Sequence, residues 1–344
     1  MYKSNTEKYL NDSFDKEQSI EKRKKISIAV LDYYSKKPNI FGIMLVGSLQ
    51  GLPRDKFSDF DFFLIYHKTP PALESRTQFI QDHVRSNFIY ALNYVSNEYG
   101  VSDDFDWDGI EVCTSFYSLD EMKKNIQDVL IKMDYKRKGF YYPMAFVAAV
   151  ADGSILFERQ NKLSEIKQLC KIYPENLRHK VLFEEKGFLS YYQDRMNLAA
   201  YRNDYIYFND LVQLFIDSSL QTIFSYNKIY FYSKKEINKK ISKLMDKPDD
   251  LANNIQELIN IENDKDIYTK KKEIVNSIAT SLRDYNSDLP DLDKVPANDS
   301  SFILNKRNCL LAVGIVTAAT GVAFFKLGSK NVINTISENL SLSK

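Results

Sequence analysis

Hydrophobic residues form short uninterrupted runs in the first half of the chain and recur at helical spacing in the second half. Residues 42–48, "GIMLVGS", and 60–66, "FDFFLIY", are rich in β-formers and are bounded by Gly, Pro and Ser, which predicts two buried strands. Apolar positions at helical spacing between about residues 19 and 37 predict an amphipathic helix before them. Residues 74–98 keep a similar period and predict a second helix after them.

A third strand is predicted at residues 109–117, "GIEVCTSFY". It follows the acidic segment "DDFDWDG" at 103–109, which is predicted to be a solvated turn, and it leads into a helix that begins near Ser118. The order helix, strand, strand, helix, strand predicts a compact α/β unit.

The later sequence is predominantly helical. Residues 145–158, "AFVAAVADGSILFE", predict an apolar run, an Asp-Gly turn and a short strand, after which a domain boundary is placed near residue 160. Two long helices are predicted around "LSYYQDRMNLAAYR" and "FNDLVQLFIDSSLQTIFSYNKIYF". The second is apolar around most of its circumference, which is typical of the central helix of a bundle. The predicted domains are 1–160 and 161–286, followed by a Pro-, Asp- and Ser-rich linker at 287–308 and a hydrophobic segment at 309–326.

Composition narrows the class of protein. The 47 Lys and Arg residues nearly cancel the 46 Asp and Glu residues, so the chain lacks the positive field of a general nucleic-acid binder. The three cysteines, at positions 113, 170 and 309, are far apart and show no CxxC spacing, which predicts neither a disulfide framework nor a zinc site. A reducing, cytoplasmic location fits this cysteine usage.

The hydrophobic segment near the carboxyl end leaves two interpretations open. Residues 309–325, "CLLAVGIVTAATGVAFF", contain no charge over 17 residues, at the short limit for a spanning helix. The segment is therefore either a membrane anchor or a buried helix. The amino-terminal residues lack the apolar core of a secretory signal, so export of the rest of the chain is not expected.

Two aspartates interrupt the second strand at a spacing that favours metal binding. Asp59 and Asp61 are two residues apart, so on a strand their side chains point to the same side, roughly 6–7 Å apart at the backbone. Two carboxylates at this spacing suit Mg²⁺ that also carries the phosphates of a nucleotide. Gly47 and Ser48, in the turn after the preceding strand, can bring amide N–H groups and a hydroxyl close to those phosphates.

Gly47-Ser48, ten intervening residues and Asp59-Phe60-Asp61, each motif flanked by a hydrophobic strand, resemble the signature of the DNA polymerase β-like nucleotidyltransferase superfamily over about residues 20–160. The later helical sequence, including Asn227 and Tyr230 of an "NxxY" motif, is similar to the helical domain of bacterial aminoglycoside and lincosamide adenylyltransferases. This resemblance implies an α/β (α+β) nucleotidyltransferase domain with a mixed sheet, followed by an all-α helical bundle.

The resemblance also implies an activity and its cofactors. The expected reaction is Mg²⁺-dependent transfer of AMP from ATP to a hydroxyl of a small molecule, such as an aminoglycoside-like antibiotic, with release of pyrophosphate. Antibiotic resistance would be the biological role. The acceptor is expected in the cleft between the two domains, where Tyr191, Tyr192 or Tyr201 are candidate lining residues.

The family's third carboxylate lies on the strand after the long helix, and Glu111 is the candidate here. Positions 111 and 113 share a face of this strand. Because position 113 is a cysteine, Glu111 is the only acid available on that face. Glu111 would ligate a second metal or take the proton of the acceptor hydroxyl. If the alignment to the family is shifted by two residues, Cys113 occupies the position of the third carboxylate and that acid is missing. The expected catalytic and metal-binding residues are thus Asp59, Asp61 and Glu111, and the phosphate-binding residues are Gly47 and Ser48.

Two other functions remain open. One is transfer of a nucleotide to a protein or a tRNA, as toxin-like members of the superfamily perform. The other is a nucleotide-binding scaffold without turnover, with or without a membrane tether.

Overall fold

The computed structural model describes residues 15–47, 55, 57–84, 89–96, 100–261 and 266–286. These residues form two compact units. The first comprises the described residues up to Gln127 together with Phe146–Lys171, and the second comprises Asp128–Ala145 together with the described residues from Ile172 onward. The domain boundaries predicted from the sequence, at residues 160, 286 and 308, stay predictions.

A mixed sheet forms the centre of the first unit. Its strands in the described chain are Ile40–Val46 (β1), Phe60–Tyr66 (β2), Ile89–Ser96 (β3), Gly100–Trp107 (β4), Ile110–Ser118 (β5) and Ser154–Glu158 (β6). Their order across the sheet is β3-β4-β5-β2-β1-β6. The β2–β5 pair is parallel and the other neighbouring pairs are antiparallel. The predicted combination of a mixed sheet with a later helical part is confirmed.

Helices cover the two faces of this sheet. The helices described up to residue 170 are Lys16–Ser35 (α1), Leu73–His83 (α2), Leu119–Leu130 (α3), Pro143–Asp152 (α4) and Lys162–Cys170 (α5). On one face, Tyr34 of α1 packs against Phe79 of α2 and Phe116 of β5, with ring centroids 5.1 and 5.9 Å away. On the other face, Phe146 of α4 stacks on Phe63 of β2 at 5.3 Å.

Several elements form where the local sequence predicts them. The helix predicted at 19–37 is α1, and the three predicted strands are β1, β2 and β5. The predicted helix start at Ser118 is a capping box: Glu121 N donates to Ser118 Oγ at 3.0 Å, and Ser118 N donates to Glu121 Oε2 at 2.7 Å. These features are encoded over short distances in sequence.

The helix predicted over residues 74–98 is wrong in its second half. The helix α2 ends at His83, and Ile89–Ser96 forms β3 instead. Among the described residues this strand lies at the edge of the sheet and pairs with β4 alone. All of its side chains are exposed or half-buried. It therefore lacks the regular alternation of apolar and polar residues by which a strand is recognised in a sequence.

The prediction of a solvated acidic turn over "DDFDWDG" is also wrong for most of its length. Residues up to Trp107 belong to β4, and only Asp108 and Gly109 form the turn, both with positive φ. Asp103 is buried, 1% exposed, and pairs with the equally buried Arg76 of α2 at 2.7 Å. An aspartate of this strand can enter the core because an arginine 27 residues earlier neutralises it.

The second unit is helical. Its helices in the described chain are Glu175–Tyr201 (α6), Tyr205–Tyr226 (α7), Ile237–Ser242 (α8), Leu251–Asn260 (α9) and Ile267–Leu282 (α10). The two long predicted helices are α6 and α7, and α7 is buried along most of its length, as its apolar circumference predicts. Asn227 caps the end of α7 and exchanges hydrogen bonds with the backbone of Asp246, while Tyr230 OH donates to Ile172 O at 2.9 Å.

None of the helices in the described part of the chain is long and apolar enough to cross a membrane. The hydrophobic segment 309–325 and the linker before it lie outside the described residues.

Candidate active site

The register of the sheet aligns polar residues from three neighbouring strands. Asp61 of β2 lies opposite Cys113 of β5, and Cys113 lies opposite Asp104 of β4. Directly paired residues point to the same side of a sheet, so these three side chains share one face. Asp59 comes two residues before Asp61, immediately before β2 begins, and it is exposed. The sequence prediction did not include Asp104, because it placed this residue in a turn.

Gly47 lies directly against this row. It follows the last residue of β1, Val46, which is paired with Asp61. Its φ is +94°, and a Cβ built at this position would lie 2.8 Å from Asp61 Oδ2. Two independent constraints thus require glycine: the backbone conformation and the approach of the Asp61 carboxylate. Ser48, the other residue predicted to contact phosphates, lies outside the described residues.

Gly47→Ala is expected to lower the free energy of unfolding by about 1–3 kcal/mol and to displace the Asp61 carboxylate, since both the positive φ and the near contact oppose a Cβ. Chemical denaturation followed by Trp107 fluorescence measures the loss. Gly109→Ala is the matched control, because Gly109 has φ +86° with no atom within 4 Å of its built Cβ. Equal losses in the two variants would show that the contact with Asp61 has no energetic effect.

Arg23 of α1 fixes the start of β2. It is 3% exposed, donates from Nη1 to Asp59 O at 3.0 Å and from Nη2 to Ser58 O, and lies over the Phe60 ring at 5.0 Å. Burial lowers the pKa of this guanidinium, and the nearby carboxylates of Asp59, Asp61 and Asp55 oppose that shift. Arg23 therefore positions the backbone of Asp59 and supplies a buried positive charge beside the acids.

Arg23 is not among the site residues predicted from the sequence, although one sequence feature indicates it. It shares a helix face with Ile26 and Val30, three and seven residues later, and all three are buried. An arginine on the apolar stripe of an amphipathic helix needs a polar partner in the interior.

Cys113 is a neutral thiol between two acids. Burial, together with the negative charges of Asp104 and Asp61, raises the pKa of the Cys113 thiol far above its ordinary value. Oδ1 of Asp104 is buried and has no hydrogen-bond partner. The row Asp61–Cys113–Asp104 thus concentrates negative charge and an unsatisfied oxygen on one face, without a competing thiolate.

Glu111 lies on the same face of β5, two residues before Cys113. It is exposed and is paired across the sheet with Asp106 of β4. Continuing the parallel register by one pair, from Phe60 opposite Val112, aligns Glu111 with Asp59. Asp106 is buried and accepts a hydrogen bond from Gly109 N at 3.1 Å, so it stabilises the turn between β4 and β5.

The residues available for a divalent cation are oxygen donors. No group of three His, Cys, Asp or Glu side chains within the described ranges is placed to hold a metal ion by itself. Asp59 and Asp61 offer carboxylate oxygens, whereas Asp104, with its unsatisfied Oδ1, lies on the same face two strands away from Asp61. The first two residues suit Mg²⁺, a hard cation that is commonly held by one or two carboxylates and completes its coordination with phosphate oxygens and water.

Comparison with known proteins gives one family match and several structural likenesses. Residues 141–235 match a family model described as a domain of unknown function, DUF4037. No curated protein matches the chain. A nucleotidyltransferase-like protein from Exiguobacterium sibiricum is 13% identical, with a TM-score of 0.39, covering 76% of this chain and 74% of that one.

Two further solved structures are similar over most of the chain. Spectinomycin adenyltransferase AAD(9) from Enterococcus faecialis, solved with ATP and spectinomycin, is 14% identical with a TM-score of 0.27, covering 80% of this chain and 99% of that one. A chain of a GLD-2/RNP-8 complex is 12% identical with a TM-score of 0.24, covering 75% and 91%. The likenesses include a nucleotidyltransferase-like protein and an adenyltransferase. At these TM-scores they carry no weight for the activity of this chain.

Proposed function

We propose that the protein is a Mg²⁺-dependent nucleotidyltransferase that transfers AMP from ATP to a hydroxyl of a small molecule, such as an aminoglycoside-like antibiotic, and releases pyrophosphate. The observation that carries the proposal is the approach of the Asp61 carboxylate to Gly47, because Asp61 Oδ2 would lie 2.8 Å from a Cβ built there and the φ of +94° disfavours any residue with a side chain. A glycine that allows close backbone approach, next to two carboxylates at the start of a strand, suits a metal-bound triphosphate.

Each residue has a role in this proposal. Asp59 and Asp61 would hold the divalent cation, which would stabilise the charge that develops on the phosphoryl and leaving oxygens. Gly47 and Ser48 contact the phosphates, and Arg23 keeps the Asp59 backbone in position. The acceptor oxygen forms a bond to the α-phosphorus as the bond between that phosphorus and pyrophosphate breaks, and the acceptor's proton passes to a carboxylate.

Two carboxylates are candidates for the base. Glu111 is exposed and aligned with Asp59, and its long side chain favours it over Asp104, which lies two strands away from Asp61. Neighbouring strands are about 4.8 Å apart, so Asp61 and Asp104 are about 10 Å apart at the backbone. We therefore assign the base to Glu111 and a supporting electrostatic role to Asp104.

Pyrophosphate release tests the proposal directly. The full chain is incubated with Mg²⁺ and each of the common nucleoside triphosphates, with a panel of hydroxylated acceptors that includes aminoglycosides, and Asp61→Asn is the inactive control. We expect release that requires ATP, Mg²⁺ and one acceptor class. If label from ATP appears on protein or tRNA and on none of the small molecules, the acceptor is a macromolecule and the proposed small-molecule acceptor is wrong. If no acceptor is labelled, the proposed enzymatic activity is rejected.

A further inference from the structure

The helix α6 carries an exposed glycine near its midpoint. The helix spans 27 residues, Glu175–Tyr201, and Gly187 is the thirteenth of them. In the part of the chain that the structure describes, no side chain and no other segment comes within 4 Å of a Cβ built at Gly187. A glycine destabilises a helix interior relative to alanine. Packing within the chain does not require it here, but it would let another surface approach the helix backbone closely.

Two exposed aromatic side chains flank this glycine. Phe183 lies four residues before Gly187 and is 44% exposed, and Tyr191 lies four residues after it and is 48% exposed. Residues four apart are neighbours on one helix face, so the three form an apolar strip with a notch at its centre, the Gly187 strip. Buried residues of α6 such as Leu189 and Met196 lie on the opposite side of the helix.

The charges at the two ends of the strip are opposite and lie at equal distances from the glycine. Lys180 is seven residues before Gly187, and the exposed Asp194 is seven residues after it. Seven residues make about two helical turns, so both side chains lie close to the strip. Within the chain, Lys180 reaches Glu184 at 3.8 Å in a partly exposed pair, and pairs of this kind contribute little to stability.

This arrangement is complementary to itself when one copy is reversed. If two copies of α6 pair in antiparallel orientation about a two-fold axis at Gly187, each residue before the glycine meets the residue equally far after it. Phe183 then contacts Tyr191 of the second copy, and Lys180 lies opposite Asp194 of the second copy. The symmetry produces each contact twice, as in any two-fold interface. Parallel pairing would instead place Lys180 against Lys180.

We propose that the protein forms a two-fold dimer through the Gly187 strip, with its partner a second copy of the same chain. The overlap centred on Gly187 extends over residues 175–199, a length of about 37 Å. The glycines allow the two helices to approach closely where they cross, and each aromatic side chain fills the space beside the opposite glycine. The dimer involves the face of α6 that points away from its buried side, and it forms whether or not the protein transfers nucleotides.

Exchange of charges tests the antiparallel pairing. Sedimentation equilibrium of the full chain measures the dimer Kd, which we expect on the order of 10 μM. Lys180→Asp and Asp194→Lys each place like charges opposite each other, so each should raise the Kd by about tenfold or more. An equimolar mixture of the two variants should regain the original affinity, because every pair across the axis again has opposite signs.

Lys186→Asp is the matched control for these charge changes. Lys186 is exposed and adjacent to Gly187, but it lies about 100° around the helix from the strip, so its reversal should leave the Kd unchanged. An equal effect of Lys186→Asp, or a mixture of the Lys180→Asp and Asp194→Lys chains that stays as weak as either alone, would show that the pairing is wrong.

Gly187→Gln tests the close approach of the two helices. Glutamine is a good helix former and is polar, so the monomer should fold with an unchanged or higher Tm. Its side chain fills the notch, and the dimer Kd should therefore rise by about tenfold or more. A chain that stays monomeric at about 200 μM, or a dimer whose Kd is the same in Gly187→Gln, overturns the proposal.

Discussion

Asp61→Asn is expected to lower the rate of pyrophosphate release by about 10³-fold or more, a loss of about 4 kcal/mol of transition-state stabilisation. Asparagine keeps the shape of the side chain beside Gly47 but lacks the charge that holds a divalent cation. Steady-state rates at saturating ATP and Mg²⁺ measure the effect. The Tm should stay unchanged or fall slightly, because the substitution also removes one of the negative charges that favour the buried Arg23 guanidinium.

Two acids on the same face provide the comparison for this result. Glu111→Gln should lower the rate by about 10²-fold, since loss of a general base typically costs that much. Asp104→Asn should have a smaller effect, because Asp104 lies two strands away from Asp61. If Asp104→Asn lowers the rate more than Glu111→Gln does, the role of third carboxylate belongs to Asp104 and not to Glu111. Full activity of Asp61→Asn would reject the site.

The carboxylate pair and its glycine could be predicted from the sequence because they depend on short distances along the chain. Asp59 and Asp61 share a face whenever residues around them are extended, and Gly47 ends the preceding apolar run. The α1 helix and the capping box at Ser118 are likewise local. None of these features requires knowledge of which strands become neighbours.

Asp104 and Arg23 could not be assigned to the site in that way, because their roles depend on register and packing. Asp104 enters the row only when β4 pairs with β5 so that it lies opposite Cys113. The acidic composition of "DDFDWDG" favours a solvated turn by itself. A buried strand is stable there because Arg76 neutralises the buried Asp103. The local sequence pattern therefore does not show which acids are neutralised by a residue far away along the chain.

Exposure explains the error at β3 in a similar way. Four of its eight residues, Ile89, Asn93, Tyr94 and Val95, are exposed. Asn93 has a positive φ where the register of the β3–β4 pair shifts. Apolar residues in an irregular edge strand do not recur clearly at every second position. The helical spacing of apolar residues in α2 can therefore be extended through β3 in the sequence, and a single long helix is predicted.

Arg76 links these elements, and Arg76→Met is expected to lower the free energy of unfolding of the sheet unit by about 3–5 kcal/mol. Arg76 donates to Asp103 Oδ1 and to Asn93 Oδ1, both at 2.7 Å, and to Pro71 O at 3.1 Å. The variant would leave Asp103 buried without its counterion. Trp107, the single tryptophan, lies in β4, so its fluorescence during urea unfolding reports on this unit.

The double variant Arg76→Met with Asp103→Leu should recover the part of that stability that is due to charge, because it leaves no uncompensated charge. The hydrogen bonds of Pro71 O, Asn93 Oδ1 and Asn93 N to these two side chains stay lost. The pKa of Asp103 is raised in the native protein, since burial outweighs the attraction of Arg76, and loss of Arg76 raises it further. A carboxyl with a raised folded-state pKa destabilises when ionised, so the loss in Arg76→Met should shrink as the pH falls through that pKa. A loss that is independent of pH and persists in the double variant would mean that Arg76 acts through packing rather than through charge.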